Sequence, residues 1–284
     1  MQGLVACKIL EKRNKPYIVE SVGNAFNALW YHDRLKGKIM ASFIHLLTKW
    51  HIRKANNVIY VTNDHLQKAY PNKKNTLACS DVIIESCDEE VLKKRLKKID
   101  NYGTNQSFKL GLVGSYDIMY KGHDVAIKAI STITKSVQLH LLGSGDSTRW
   151  SELAKHCNVT QRVFFDKPVN SGTAMVNWLD SLDILLMPSR QEGMPRVLIE
   201  AMSRGLVVVG TAAGDIPYVL DEHNVFKIGD WHGVGKRINL LLGDKRLLRE
   251  TSISNFNKSK NYKLDILADK RSHYMMNIIN KVLK

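Results

Sequence analysis

The chain has 284 residues, of which 44% are hydrophobic and 24% are charged. This balance is typical of a globular chain with one large or two ordinary domains, and it excludes the disordered and fibrous classes. The formal net charge of +15 would attract an anionic surface or polymer without specifying which one.

The four cysteines form no Cys-x-x-Cys pair, so they indicate neither a metal site nor a disulfide framework. The most apolar stretch near the start, residues 39–47, is far too short to cross a bilayer. Residues 1–15 lack the order of charged and apolar segments that defines a signal peptide. We therefore expect a cytoplasmic protein with reduced thiols.

The first part of the chain, residues 1–105, alternates between helix and strand patterns. Runs rich in apolar and β-branched residues predict strands at residues 17–23, 57–62 and 76–84. A helical pattern at residues 3–13 comes before the first of them. We therefore expect an incomplete Rossmann-like domain in a chain that is N-terminally truncated, as a fragment or through a late start codon.

Residues 36–54 predict a helix with one apolar stripe and basic residues near its ends. The stripe consists of Ile39, Phe43, Leu46, Leu47 and Trp50, and the basic residues are Lys36, Lys38, Lys49, Arg53 and Lys54. Such a helix could contact an anionic membrane surface, or it could pack its stripe into the core as an ordinary surface helix does. The sequence leaves both interpretations open. A charged helix at residues 89–98 then leads into residues 102–105, which we interpret as the interdomain linker.

From residue 106 onward, short apolar strand patterns alternate with helical patterns. The strands are expected at residues 108–114, 137–143, 162–166, 183–189, 206–212 and 224–228, and the helices between them at 123–133, 148–157, 172–182 and 195–205. Apolar strands joined by crossover helices predict a doubly wound, parallel α/β domain over residues 106–255. Residues 256–284 are expected to end in a helix that packs back on the N-terminal domain.

The segment from Pro188 to Met202 joins a predicted strand to a predicted helix. Because Pro195 suits the first helical turn, the free N–H groups of that turn should face the crevice at the carboxyl edge of the sheet and bind a diphosphate. These groups belong to Gly193, Met194, Arg196 and Val197. Glu192 lies just before this turn, and Glu200 could accept hydrogen bonds from two ribose hydroxyls. Equally, Glu192 could cap the helix and Glu200 could pair with Arg196.

Together with its flanking residues, this segment resembles the Glu-x7-Glu signature of the group 1 (family 4) glycosyltransferases, whose GT-B fold has two Rossmann-like domains. Val113-Gly114-Ser115 and the pair Lys121-Gly122 resemble the glycine turn and Lys-Gly pair of that family, in which the lysine contacts the donor diphosphate. Ser115 stands where many relatives have arginine. Ser144, between Gly143 and Gly145, matches the Gly-x-Gly at which the backbone approaches the nucleotide.

Residues 15–20 and 27–32 are similar to bacterial capsular and exopolysaccharide glycosyltransferases. This similarity makes His32 a candidate group on the acceptor side, although a lone histidine is also common as a packed or surface residue. Family members carry a further upstream segment with a glycine-rich loop. We therefore expect this chain alone to bind the donor but to transfer sugar weakly or not at all.

The resemblance implies a retaining transfer from a nucleoside-diphosphate sugar to a lipid-linked oligosaccharide acceptor, with no cofactor and no required metal. Lys121 would stabilise the leaving diphosphate and Glu192 would bind the transferred sugar. The expected partners are the nucleotide sugar, the acceptor and an anionic membrane at its inner face, but not nucleic acid. Two alternatives stay open: a nucleotide-sugar epimerase with the GT-B fold, and a non-catalytic nucleotide-sugar-binding fragment.

Overall fold

The computed structural model of the protein describes residues 2–30, 35–82, 84, 87–103 and 106–283. Its elements, in chain order, are α1 Gln2–Lys12, β1 Val19–Ser21, α2 Ala25–Trp30, α3 Leu35–Lys54, β2 Asn57–Tyr60, α4 His65–Ala69, β3 Asn75–Ala78, α5 Glu89–Asp100, β4 Phe108–Val113, α6 His123–Ser131, β5 Val137–Leu142, α7 Thr148–His156, β6 Val163–Asp166, α8 Thr173–Ser181, β7 Ile184–Met187, α9 Arg196–Ser203, β8 Val207–Thr211, α10 Ile216–Val219, β9 Val225–Phe226, α11 Trp231–Gly243, α12 Lys245–Ser259 and α13 Leu264–Val282. They form two compact units. The N-terminal unit comprises Met1–Ile83, Glu192–Met194 and Leu264–Lys284, and the C-terminal unit comprises Ile84–Gln191 and Pro195–Lys263.

The N-terminal unit contains a parallel sheet with the strand order β1-β2-β3. Its core is formed by apolar side chains of β2 and of the helices beside it, among them Ile52, Val58, Tyr60, Leu66 and Tyr70. The three strands lie within the three predicted strand segments, except that β3 begins one residue earlier, and all of them are shorter than predicted.

The last helix, α13, is tied to this sheet through one buried tyrosine. The Tyr274 hydroxyl accepts a hydrogen bond from the Val58 N–H at 3.0 Å and donates one to the Asn75 carbonyl oxygen at 2.8 Å. Arg271, on the same helix, pairs with Glu20 of β1 at 2.8 Å. Residues 264–283 therefore pack in the N-terminal unit, whereas residues 256–263 belong to the C-terminal unit.

The C-terminal unit contains a six-stranded sheet with the order β6-β5-β4-β7-β8-β9, in which all neighbours are parallel. The predicted doubly wound α/β architecture of this part is confirmed. Helices cover both faces, so the strands are almost continuously apolar, and Leu110, Leu139, Ile184 and Val208 are fully buried. The strand order runs outward in both directions from the β4–β7 pair.

The segment predicted as the interdomain linker begins inside the C-terminal unit instead. The Tyr102 side chain is buried, and its hydroxyl donates to the Asp183 carboxylate at 2.7 Å. In α5, the buried Arg95 guanidinium donates to the carbonyl oxygens of Leu182 and Leu179 at 2.5 and 3.3 Å. These contacts fix α5 to the C-terminal unit, which begins at Ile84, whereas the sequence analysis placed the domain boundary at residue 105.

Within the described part of the chain, no helix is both long enough and apolar enough to cross a membrane.

Candidate functional site

The two strands β4 and β7 meet at the point where the strand order reverses. They are parallel neighbours, with Leu110 opposite Ile184, so their carboxyl ends lie at the same edge of the sheet. In open α/β sheets, the crevice outside this switch point is where ligands bind. The segment beginning at Gly114 follows β4, and the segment beginning at Pro188 follows β7. The structure therefore places both predicted donor segments at one edge.

The turns that follow β4 and β5 are in direct backbone contact. A Cβ atom added to Gly143 would overlap the Gly114 carbonyl oxygen, so only glycine permits this approach. The Gly114 N–H donates to the Leu142 carbonyl oxygen at 3.0 Å. The Ser115 hydroxyl donates to the Ser144 carbonyl oxygen, also at 3.0 Å. The predicted donor residues Gly114, Ser115 and Ser144 are therefore brought together.

Lys121 ends a single 3-10 turn, Met119–Lys121, which Gly122 closes with φ of +77°. A Cβ atom added to Gly122 would overlap the Pro188 carbonyl oxygen, so the turn packs directly on the segment that follows β7. The Arg190 N–H also donates to the Tyr120 carbonyl oxygen at 2.7 Å. These two backbone contacts fix the Lys121 turn against the segment that leads to the Glu-x7-Glu helix.

The side-chain stem of Lys121 crosses the glycine turn after β4. Its Cβ and Cγ atoms lie 3.0 and 2.8 Å from the position that a Cβ of Gly114 would occupy. A larger residue at position 114 would therefore displace the lysine.

Arg190 and Asp124 form a bidentate ion pair beside the same turn. The two guanidinium nitrogens lie 2.9 and 2.7 Å from the two carboxylate oxygens. Burial alone would raise the pKa of Asp124, but the hydrogen bonds and charge of Arg190 hold this pKa below its usual value. Arg190 is thus engaged within the protein, and it holds the two segments together.

The helix α9 begins at Arg196, one residue later than predicted, because Pro195 adopts an extended backbone as its N-cap residue. The Leu198 N–H donates to the Pro195 carbonyl oxygen at 3.2 Å. The N–H groups of Arg196 and Val197 have no acceptor within the helix, and the proline ring offers none. Free donors and a positive dipole end of this kind are features that favour the binding of an anion.

The two glutamates of the predicted signature differ in their surroundings. Glu200 is half-buried on α9, and burial raises the pKa of its carboxyl group while the charge of Arg196 partly offsets the rise. Glu192 is half-buried in the preceding loop, two residues after Arg190. Glu192, Gly193 and Met194 are grouped with the N-terminal unit, and Met194 is buried.

His123 is a site residue that the sequence analysis did not identify, although it follows the quoted Lys-Gly pair. It is the first residue of α6 and is fully buried, with Nε2 3.3 Å from the Gly114 carbonyl oxygen. Its ring stacks on Trp150, with the ring centroids 5.0 Å apart. Burial lowers the pKa of His123 to about 4, so the ring is neutral near pH 7. The signal available in the sequence was its position beside Lys121.

The acceptor-side candidate His32 lies outside the described residues. Among the residues that the structure does describe, no group of three or more His, Cys, Asp or Glu side chains is placed to hold a metal ion.

The comparisons with known proteins define the class of protein. Residues 107–244 match the family model described as glycosyl transferases group 1. Over 279 residues, 97% of this chain, the sequence is 33% identical to the protein CapJ of Staphylococcus aureus and covers 69% of CapJ. It is 31% identical over 173 residues to N-acetyl-alpha-D-glucosaminyl L-malate synthase of Bacillus anthracis, covering 57% of this chain and 44% of that enzyme. The chain belongs to the group 1 glycosyltransferases, and it is a glycosyltransferase enzyme.

Solved structures show the same GT-B fold. Sucrose-phosphate synthase from Thermosynechococcus elongatus superposes with a TM-score of 0.73 at 17% identity, over 98% of this chain and 72% of that one. WaaG, a glycosyltransferase involved in lipopolysaccharide biosynthesis, superposes with a TM-score of 0.67 at 15% identity, over 95% and 80% of the two chains. HepE from Anabaena, in complex with UDP and glucose, superposes with a TM-score of 0.72 at 14% identity, over 98% and 75%.

Proposed function

We propose that the C-terminal unit binds a nucleoside-diphosphate sugar at the carboxyl edge of its sheet, and that the protein transfers the sugar to a saccharide acceptor with retention of configuration. The observation that carries this proposal is the contact between Gly122 and the Pro188 carbonyl oxygen. It fixes the turn that ends at Lys121 beside the segment leading to α9. A cation and a helix N-terminus at one sheet edge are the features that a diphosphate requires.

In this proposal, the Lys121 ammonium group and the N–H groups of Arg196 and Val197 stabilise the diphosphate. Negative charge grows on its leaving oxygen as the bond to the anomeric carbon breaks. The acceptor hydroxyl forms its new bond on the same face of the sugar and passes its proton to that leaving oxygen. The protein positions the reactants and stabilises charge, and a metal ion is not required.

The remaining residues recognise the donor. Glu200 accepts hydrogen bonds from the two ribose hydroxyls, because its half-buried carboxylate lies one turn beyond the diphosphate-binding end of α9. Glu192 holds hydroxyls of the transferred sugar. Gly114, Ser115 and Ser144 line the turns that the nucleotide approaches, and Gly193 and Met194 belong to the loop before the helix.

We further propose that the acceptor is a lipid-linked saccharide and that the product is a cell-surface polysaccharide, made at the inner face of the membrane. Two relatives support the proposal that the product is a cell-surface polysaccharide. One is the Vi polysaccharide biosynthesis protein VipC/TviE of Salmonella typhi, at 33% identity over 75 residues. The other is the lipopolysaccharide glucosyltransferase WaaG of Escherichia coli, at 31% identity over 116 residues.

The test is calorimetric titration of the protein with UDP-, dTDP-, GDP- and ADP-sugars, because the base is unknown. We expect one of these classes to bind, and we expect Lys121→Ala to weaken that binding while Lys128→Ala does not. With a donor that binds, NMR of the product should show the donor's anomeric configuration after transfer to a lipid-linked saccharide. Failure of all four classes to bind, or conversion of the donor to an epimer without an acceptor, would overturn the proposal.

A further inference from the structure

The orientation of α3 is fixed by the side that it packs against the core of the N-terminal unit. Ala41, His51 and Ile52 are buried on this side. His45 lies half-buried on the same side, with Nδ1 3.1 Å from the Tyr70 hydroxyl. The opposite side of the helix must therefore face away from the core.

That opposite side carries a row of large apolar residues. Ile39, Phe43, Leu46 and Trp50 are 72%, 64%, 64% and 45% exposed. Their spacing of four, three and four residues places them within an arc of about 60° and along about 17 Å of the helix. These four residues of the predicted stripe do not pack into the core, whereas its fifth member, Leu47, is half-buried. A continuous apolar row on a protein surface indicates an interaction site.

Basic side chains flank the row on both sides, and the sequence of α3 contains no acidic residue. Lys49 and Arg53 are exposed along one edge. Lys54 lies along the other, with its Nζ 3.8 Å from the centroid of the Trp50 ring. An apolar row between cationic edges complements the surface of an anionic bilayer, in which headgroup phosphates lie above acyl chains.

We propose that the outward row of α3, defined by Ile39, Phe43, Leu46 and Trp50, inserts into the headgroup and acyl boundary of an anionic bilayer. Lys49, Arg53 and Lys54 then contact the lipid phosphates, and the helix lies parallel to the membrane plane. Membrane binding would bring the enzyme to the surface that holds a lipid-linked acceptor. This role of the contact rests on the proposed function.

The experiment is flotation of the full chain, without any nucleotide sugar, on vesicles of phosphatidylcholine with and without phosphatidylglycerol. We expect binding that requires phosphatidylglycerol and weakens with added salt. The double variant Phe43→Gln/Leu46→Gln should lower the partition coefficient about tenfold or more, because two large apolar side chains no longer insert. A matched control, Ile228→Gln/Leu240→Gln, removes two similarly exposed apolar residues of the C-terminal unit and should leave binding unchanged.

Insertion is separated from simple charge attraction by tryptophan fluorescence. The measurement is made in a Trp30→Phe/Trp231→Phe background, because these are the other two tryptophans that are not buried. Brominated lipid should quench Trp50 there, and the quenching should be lost when Trp50→Phe is added, since Trp150 and Trp178 are buried within the protein. Equal flotation of wild type and Phe43→Gln/Leu46→Gln would overturn the proposal. So would a concentration-dependent dimer that only this variant abolishes, since the row would then be covered by a second copy. Donor binding in calorimetry is measured separately, so failure of vesicle binding leaves the proposed donor site intact.

Discussion

Gly122 and Pro188 are in van der Waals contact across the two segments that follow β4 and β7. The left-handed backbone of Gly122 allows its Cα to approach the Pro188 carbonyl oxygen, where no other residue would fit. This contact, with the hydrogen bond from Arg190 to Tyr120, sets the position of Lys121 relative to α9. Donor binding should therefore depend on a residue that has no side chain.

Replacement of Gly122 by alanine tests this dependence. The new Cβ would collide with the Pro188 carbonyl oxygen and would also be strained by the positive φ. We expect a loss of about 2–4 kcal/mol in the free energy of unfolding, together with weaker donor binding. Urea denaturation and calorimetry measure the two effects.

The control for this variant is Gly229→Ala. Gly229 lies in the tight turn in which the Asp230 N–H donates to the Lys227 carbonyl oxygen, and it has a similar φ of +87°, but a Cβ there would meet nothing within 4 Å. In this control variant, the free energy of unfolding should therefore fall only by the strain of the backbone conformation, and donor affinity should be unchanged. Equal effects of the two substitutions would contradict a special role for the Pro188 contact.

Lys121 is expected to stabilise charge that develops on the leaving diphosphate. Lys121→Ala should therefore lower kcat by about 10²–10³, with a smaller effect on donor affinity. Lys121→Arg should restore part of the rate because it retains a positive charge. Because this chain alone is expected to transfer sugar weakly, kinetics with a radiolabelled donor are needed to measure both values. A raised KM with unchanged kcat would assign Lys121 to ground-state binding only.

Glu200 is expected to bind the ribose of the donor. Glu200→Ala should weaken donor binding by about 1–3 kcal/mol through the lost hydrogen bonds. Glu222→Ala, a change of the same type on an exposed 3-10 turn, serves as the control. Calorimetry with the nucleoside diphosphate alone gives the comparison, and unchanged affinity in Glu200→Ala would remove Glu200 from the site.

His123 makes the stability of the fold depend on pH. Its pKa is lowered by burial to about 4, below the usual value of 6.5, so the folded state binds fewer protons than the unfolded state. The stability from its neutral ring is fully present above pH 6.5 and is lost as the pH falls toward 4. The loss over this range should approach about 3 kcal/mol.

The variant His123→Phe keeps a ring against Trp150 but cannot be protonated. Its free energy of unfolding should fall less than that of the wild type between pH 6.5 and pH 4. Urea denaturation across this range measures the difference. Parallel pH profiles would show that His123 does not titrate as described.

Much of the C-terminal unit could be predicted from the sequence, because its buried parallel strands are continuous apolar runs between glycines and prolines. The burial of Tyr102 could not be predicted, since nothing local to this residue shows that its hydroxyl reaches Asp183. In α3, helical spacing identified the apolar stripe but not the direction in which it faces, because that depends on which other residues pack against Tyr70. His123 lay beside a quoted motif, yet its contact with Gly114 depends on the fold.

The most direct test is a crystal structure of the chain with the nucleoside diphosphate of the donor that calorimetry identifies. We predict the distal phosphate within hydrogen-bonding distance of the Arg196 and Val197 N–H groups and of the Lys121 ammonium group, with the ribose hydroxyls on Glu200. A diphosphate bound away from the N-terminus of α9, or a ribose that does not contact Glu200, would contradict the proposed donor site.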